Sequence, residues 1–203
     1  MFTDSPPRRS YTLPHIKHVL NKLSKSIAVI NKAKLALDQK SLQTLYCALV
    51  LPYLMYCAEV WGNNYKTSLG PITILQKRAI RVIHKVGYLD NTHPLFLQSK
   101  IMKFTDIVKL QTAQVLYKAK NKKLPCNIQK LFNVRQLCYN LRGKLNFDRF
   151  KIRTTRKSFC ISICGVKQWN SLNVELKQCL SMMQFKRRYK QMVFQTYSNE
   201  DGS

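Results

Sequence analysis

Apolar positions recur along this chain at helical spacing, and the densest block lies between Leu42 and Val86. From Leu45 to Ala58 the residues are apolar or weakly polar, apart from the break at Pro52, and Glu59 closes the run. The run is shorter than the roughly 20 residues that span a bilayer, so it predicts a helix pair at the centre of a core. Pro52 has no N–H and disfavours a helical residue before it, so it either kinks the run or starts a second helix. Trp61-Gly62-Asn63-Asn64 predicts a turn, and Pro71 suits the first turn of the next helix. In that helix Ile72, Leu75, Ala79, Val82, Ile83 and Val86 follow the spacing of one buried face. Lys77, Arg81 and Lys85 recur every fourth residue as a cationic stripe on another face, with Arg78 beside them, and Gly87 stands where a helix C-cap belongs.

The same periodicity predicts a helix over 15–36, with Ile16, Leu20, Leu23, Ile27 and Ile30 on one face, and a helix over 105–120. Asp38 is placed to cap the helix that opens the central block, and Pro125 ends the 105–120 helix. From 121 to 157 the chain turns basic, with Tyr139, Phe147, Phe150 and Phe159 interleaved as either core or base-stacking aromatics. Residues 145–147 and 159–163 suggest short strands, and 165–172 a helical turn against which Trp169 packs. Ser181 with Gln184 is a capping-box signal for a last helix, whose stripe is Phe185, Tyr189 and Met192. The expected class is mainly α. A disordered leader (1–14) precedes a helical bundle (15–122), a basic connector (123–150) and a small α or α+β module with its tail (151–203).

Charge changes the picture most. Against 35 Lys and Arg stand only 9 Asp and Glu, a net charge of +26. Such an excess repels itself in a compact chain unless a polyanion neutralises it. Nucleic acid is the first choice, RNA or an RNA–DNA duplex, and an anionic membrane surface is the competitor. A hydrophobic content of 45% argues for a packed core. The polar opening Met1-Phe2-Thr3-Asp4-Ser5-Pro6-Pro7 is no secretory signal, and the seven cysteines are irregularly spaced. The expectation is a nuclear or cytoplasmic chain, not secreted, with no disulfides, no transmembrane segment and an oligomeric state left open.

The block LYCALVLPYLMYCAEVWGN followed by LQKRAIRVI resembles the region just beyond the polymerase core of non-LTR (LINE-type) retrotransposon reverse transcriptases. Further pieces follow in the family's order. They are KLSKSIAVINKAK, the Asn91-Thr92-His93-Pro94-Leu95-Phe96 stretch, Tyr139-Asn140-Leu141-Arg142, Gly165 with Trp169-Asn170-Ser171-Leu172, and FKRRYKQM from Phe185 to Met192. The resemblance runs from His15 to Tyr197 and implies a thumb-like bundle with the segment that follows it. The endonuclease, fingers and palm of that family have no counterpart in this sequence.

The polymerase chemistry the resemblance implies uses two metal ions held by paired aspartates, and no adjacent Asp pair occurs here. Asp38, Glu59, Asp90, Asp106, Asp148 and Glu175 are scattered singly, as caps, turn residues and partners for cations. Some family members carry a zinc knuckle near the carboxyl end. Here Cys160 and Cys164 are followed by no histidine, so no four-ligand set is complete. His84 and His93 have no Ser or Cys motif beside them, and glycine is too sparse for a phosphate loop. No catalytic residue, metal ligand, cofactor or small-molecule substrate is expected. What remains is binding by cations on a rigid frame, which gives affinity without sequence choice. The candidates are Lys77, Arg78, Arg81, Lys85, Arg142, Lys144, Arg153, Arg156, Lys186 and Arg187. The reading is a non-catalytic carboxy-terminal piece of a reverse transcriptase that binds nucleic acid. Its alternatives are a protein-interaction domain, a retroelement remnant without an evolved role, or part of a longer active polymerase.

Overall fold

The computed structural model describes residues 12–134 and 145–200. They form a mainly helical structure of twelve helices. These are α1 (Thr12–Ala33), α2 (Gln39–Leu49), α3 (Leu51–Met55), α4 (Ala58–Trp61), α5 (Lys66–His84), α6 (His93–Gln98), α7 (Phe104–Lys120), α8 (Cys126–Gln129), α9 (Thr155–Ser158), α10 (Ile161–Ser171), α11 (Val174–Lys177) and α12 (Met182–Glu200).

The central apolar run does make helices, broken twice. The first break is at Val50, where Pro52 takes an early position of α3. The second is at Cys57, whose left-handed φ of 48° turns the chain into α4. Gly62 follows immediately, because a Cβ there would lie 2.5 Å from a Val108 methyl and from the Ala58 carbonyl, so the turn can approach α7 only without a side chain.

Helix α1 turns Ile16, Val19, Leu23, Ile27 and Ile30 inward, and α5 answers with Ile72, Ala79, Ile80 and Ile83. Asp38 caps α2, accepting from the Ser41 N–H at 3.3 Å, as its position predicts. Helix α7 is the axle of the fold: α3, α4, α5, α10 and α12 all pack on it. Against it Gly165 of α10 lies so close that a Cβ would stand 2.8 Å from Leu116. The 151–200 residues therefore share one core with the bundle, through Val166, Trp169, Phe185, Tyr189 and Tyr197. Helix α12 carries its expected capping signal: Gln184 N–H donates to Ser181 Oγ at 3.1 Å, and Gln184 Oε1 accepts from the Leu180 N–H at 3.1 Å.

Four expectations need correction. Pro71 lies inside α5, because the helix already starts at Lys66. The residue before it is Gly70, which carries no Cβ to crowd the proline ring, and the helix passes through. Gly87 does not cap α5. Lys85 takes the left-handed turn at φ 55°, and the Val86 N–H then closes back on the Arg81 carbonyl at 3.2 Å. Residues 159–163 are the cap and first turn of α10, where Ile163, Val166 and Trp169 recur at helical spacing. Residues 145–147 begin in a turn at Leu145 and gain only an isolated bridge between Val134 and Phe147. The carboxamide of Asn170 replaces a partner strand there, accepting from the Phe147 N–H at 3.0 Å and donating to its carbonyl at 2.9 Å. Helices α6, α8, α9 and α11 add to the predicted set, α8 beginning directly after Pro125.

Candidate nucleic-acid interface

Helix α5 is held on its apolar face and by one buried amide. Gln76, 1% exposed, donates to Tyr46 Oη at 3.0 Å and to the Met102 carbonyl at 2.9 Å, and accepts from the Phe104 N–H at 2.7 Å. Apolar spacing alone passes over this residue. The frame leaves Lys77 and Arg78 exposed on the opposite side. Arg81 is half-buried and already engaged: its Nε donates to the Asp90 carbonyl at 3.0 Å, and its guanidinium lies 5.7 Å from the Tyr88 ring centroid. Lys85 is exposed but stands in the left-handed turn, so it leaves the line that Lys77 and Arg81 share. The expected stripe is therefore two residues on the helix and one beyond its end.

Arg153 and Arg156 are exposed, Arg153 in the segment before α9 and Arg156 within α9. Arg156 borders an open cavity of about 380 Å³ with Thr12, Asn64, Tyr65 and Phe159. Tyr65 and Phe159 meet edge to face there at 4.7 Å. Lys186 and Arg187 project from the outer face of α12, opposite its buried Phe185 and Tyr189. Arg142, Lys144 and Tyr139 lie outside the described residues. Of the interleaved aromatics, Phe147 is core, between Phe132 and Trp169, whereas Phe150 is 44% exposed. Among the described residues the candidate cations thus lie on α5 and its C-cap, in the 153–156 stretch and on α12.

The polar groups that resemble reactive ones have structural partners. His84 Nε2 lies 2.6 Å from Ser99 Oγ, a pairing that sequence spacing does not reveal. Gln39 Nε2 donates to His84 Nδ1 at 3.0 Å, so the ring proton sits on Nε2 and points at Ser99. Ser99 Oγ in turn donates to the Leu95 carbonyl at 2.7 Å. That is the reverse of the tautomer a general base needs, and the trio ties α2, α5 and α6 together. Asp90 accepts the Gly87 N–H at 2.7 Å, and Asp106 accepts Tyr197 Oη at 2.5 Å and Lys109 Nζ at 3.0 Å. Burial pushes the Cys164 thiol up to about 11, which keeps it protonated and a poor thiolate donor. Among the described residues no group of three or more His, Cys, Asp or Glu is placed to hold a metal ion. None of their helices is long and apolar enough to cross a membrane.

The Trp169-Asn170 pair, part of the stretch that carries the resemblance, is a clamp as well as a packing element. Trp169 Nε1 donates to the Leu145 carbonyl at 2.9 Å, while Asn170 holds Phe147. No family model matches the chain, and neither a curated protein nor a solved structure matches it.

Proposed function

We propose that this chain is a non-catalytic nucleic-acid-binding unit, equivalent to the thumb and following segment of a LINE-type reverse transcriptase. The ordered sequence resemblance supports the family origin, and the charge supports the partner. One observation carries the binding: Lys77, Arg78, Lys186 and Arg187 are exposed on helices whose opposite faces are fixed in the core. Cations on such a frame meet phosphates without first being ordered, and they read no base. A nuclear or cytoplasmic location accompanies this reading.

The test is fluorescence anisotropy on an RNA–DNA duplex across a range of salt. Replacing Lys77, Arg78, Lys186 and Arg187 with Gln removes about four phosphate contacts and shrinks the slope of log affinity against log salt by about 3 to 4. Melting temperature stays nearly constant, since surface changes of this kind move stability by no more than about 0.5 kcal/mol each. An unchanged slope with an intact melt refutes the interface. Incorporation by the purified chain in a primer-extension assay, above a heat-killed control, refutes the non-catalytic part.

A further inference from the structure

The turn after α5 presents an aromatic ring that is held in place yet left uncovered. Tyr88 is 76% exposed and Leu89 90% exposed. The backbone around them is tied at three points. Gly87 N–H donates to Asp90 Oδ2 at 2.7 Å, Asp90 N–H to the Gly87 carbonyl at 3.4 Å, and Arg81 Nε to the Asp90 carbonyl at 3.0 Å. The Arg81 guanidinium lies over the Tyr88 ring at 5.7 Å. The ring is thus flanked by a cation and otherwise open to water. An open aromatic face set among cations is the combination on which single-stranded nucleic acid stacks its bases. Here Lys77, Arg78 and Arg81 lead up to the turn along α5 and Lys85 stands in it, while the carboxylate of Asp90 is engaged by Gly87.

We propose that Tyr88 is a stacking platform for one unpaired nucleobase, with Arg81 behind the ring and the cations of α5 meeting the flanking phosphates. The inference rests on the nucleic-acid reading above and narrows it to strands with an unpaired base. Every base offers a π-face, so the platform tolerates any sequence. A guanidinium against the same ring fixes its plane and adds charge where a phosphate must pass. A lipid surface would also take an exposed Tyr-Leu pair beside cations. The turn, however, exposes only these two large apolar side chains, whereas lying in an interface needs a broad apolar face.

The experiment uses a short single strand carrying 2-aminopurine, as RNA and as DNA, with a blunt duplex and phosphatidylserine vesicles as the other arms. Single-strand affinity is expected to fall roughly 5- to 100-fold in Tyr88→Ala, with loss of the 2-aminopurine quench. Tyr88→Phe retains both, and blunt-duplex binding stays unchanged in each variant. Whichever strand chemistry shows the larger loss identifies the natural source of the base. Equal losses on single strand and duplex, no loss at all, or a loss confined to the vesicles each overturn the platform. Wild-type protein that binds neither strand nor duplex with a salt slope refutes the nucleic-acid reading and the platform with it. A normal wild-type slope beside an indifferent Tyr88→Ala overturns the platform alone.

Discussion

Between α1 and α5 the contact is almost wholly apolar: isoleucines, valine and leucine at helical spacing on one side, isoleucines and alanine on the other. Between 145 and 177 side-chain polar groups hold backbone ones. Trp169 Nε1 reaches Leu145, Asn170 grips both backbone groups of Phe147, and Lys177 Nζ donates at 3.0 Å to Asn146 Oδ1 and to the Asn170 carbonyl. Lys120 Nζ reaches the Lys177 carbonyl from α7. Lys177 is 4% exposed, and burial lowers its pKa, yet it sits among neutral oxygens rather than beside a carboxylate. A long helix can bury a stripe and satisfy its own backbone. A short irregular segment beside four-residue helices cannot, so its carbonyls and N–H groups must find side-chain partners.

The difference predicts unequal failure. Truncating Ile72, Ile80 and Ile83 together to Ala removes three fully buried side chains from α5. Each truncation costs roughly 2–5 kcal/mol, and together they reach the ~5–15 kcal/mol that holds a whole domain. The triple variant is therefore expected to lose its cooperative melt by circular dichroism. Retention of a melt within a few degrees of wild type would remove the α1–α5 seam as the main support. Single polar replacements come next. Gln76→Leu strands the Phe104 N–H, the Met102 carbonyl and the Tyr46 hydroxyl, at about 1–3 kcal/mol for each buried group left unpaired. Asn170→Ala strands only the two backbone groups of Phe147, in a half-buried place, and is expected to cost less. Hydrogen exchange sharpens the contrast: Gln76→Leu weakens protection in α5 and α7, whereas Asn170→Ala weakens it around 145–147 and spares α1. Matching exchange patterns in the two variants would mean that the regions do not differ.

This contrast also explains what was legible in the sequence. The faces of α1, α5, α7 and α12 follow in outline from apolar spacing, since water exclusion acts on any side chain at the right angle. Val193 and Tyr197 rather than Met192 complete the buried stripe of α12, however, and Val86 of the expected α5 face is only half-buried. Gln76 was not legible, because a buried amide looks like a surface residue until three partners from distant segments surround it. Lys85 took the left-handed turn in place of Gly87, and the Val86 N–H closes back on the Arg81 carbonyl from there, a choice of turn residue that apolar spacing does not encode. The 145–147 and 159–163 stretches have β-prone composition, yet only a long-range partner could make a strand, and Asn170 occupies that role for Phe147. Among the site residues the exposed cations were legible as charge. The engagement of Arg81 with Asp90 and Tyr88 was not, since it depends on how the turn closes.

The smallest expected effect is a pH dependence confined to the apolar half. His84 is held neutral, accepting from Gln39 on Nδ1 and directing its Nε2 proton at Ser99. Burial lowers its pKa below the ordinary 6.5, with the Leu95 carbonyl pulling weakly the other way. Protonation would place a second N–H against the amide donor of Gln39 and break the joint. As pH falls through about 6.5, the unfolded histidine takes up a proton that the folded one resists. The unfolded state then binds more protons, so stability falls with pH across the window between the two pKa values. The contribution is complete above that window and gone below it. Melting temperatures between about pH 7.5 and pH 5.5 are expected to drop more steeply for wild type than for His84→Gln, which has no proton to gain. The loss should appear as weaker exchange protection where α2, α5 and α6 meet, with the Trp169–Asn170 clamp unaffected. Parallel slopes in the two proteins would assign the pH dependence to groups other than His84. The polar joint in the apolar half would then be a packing contact without a titrating member.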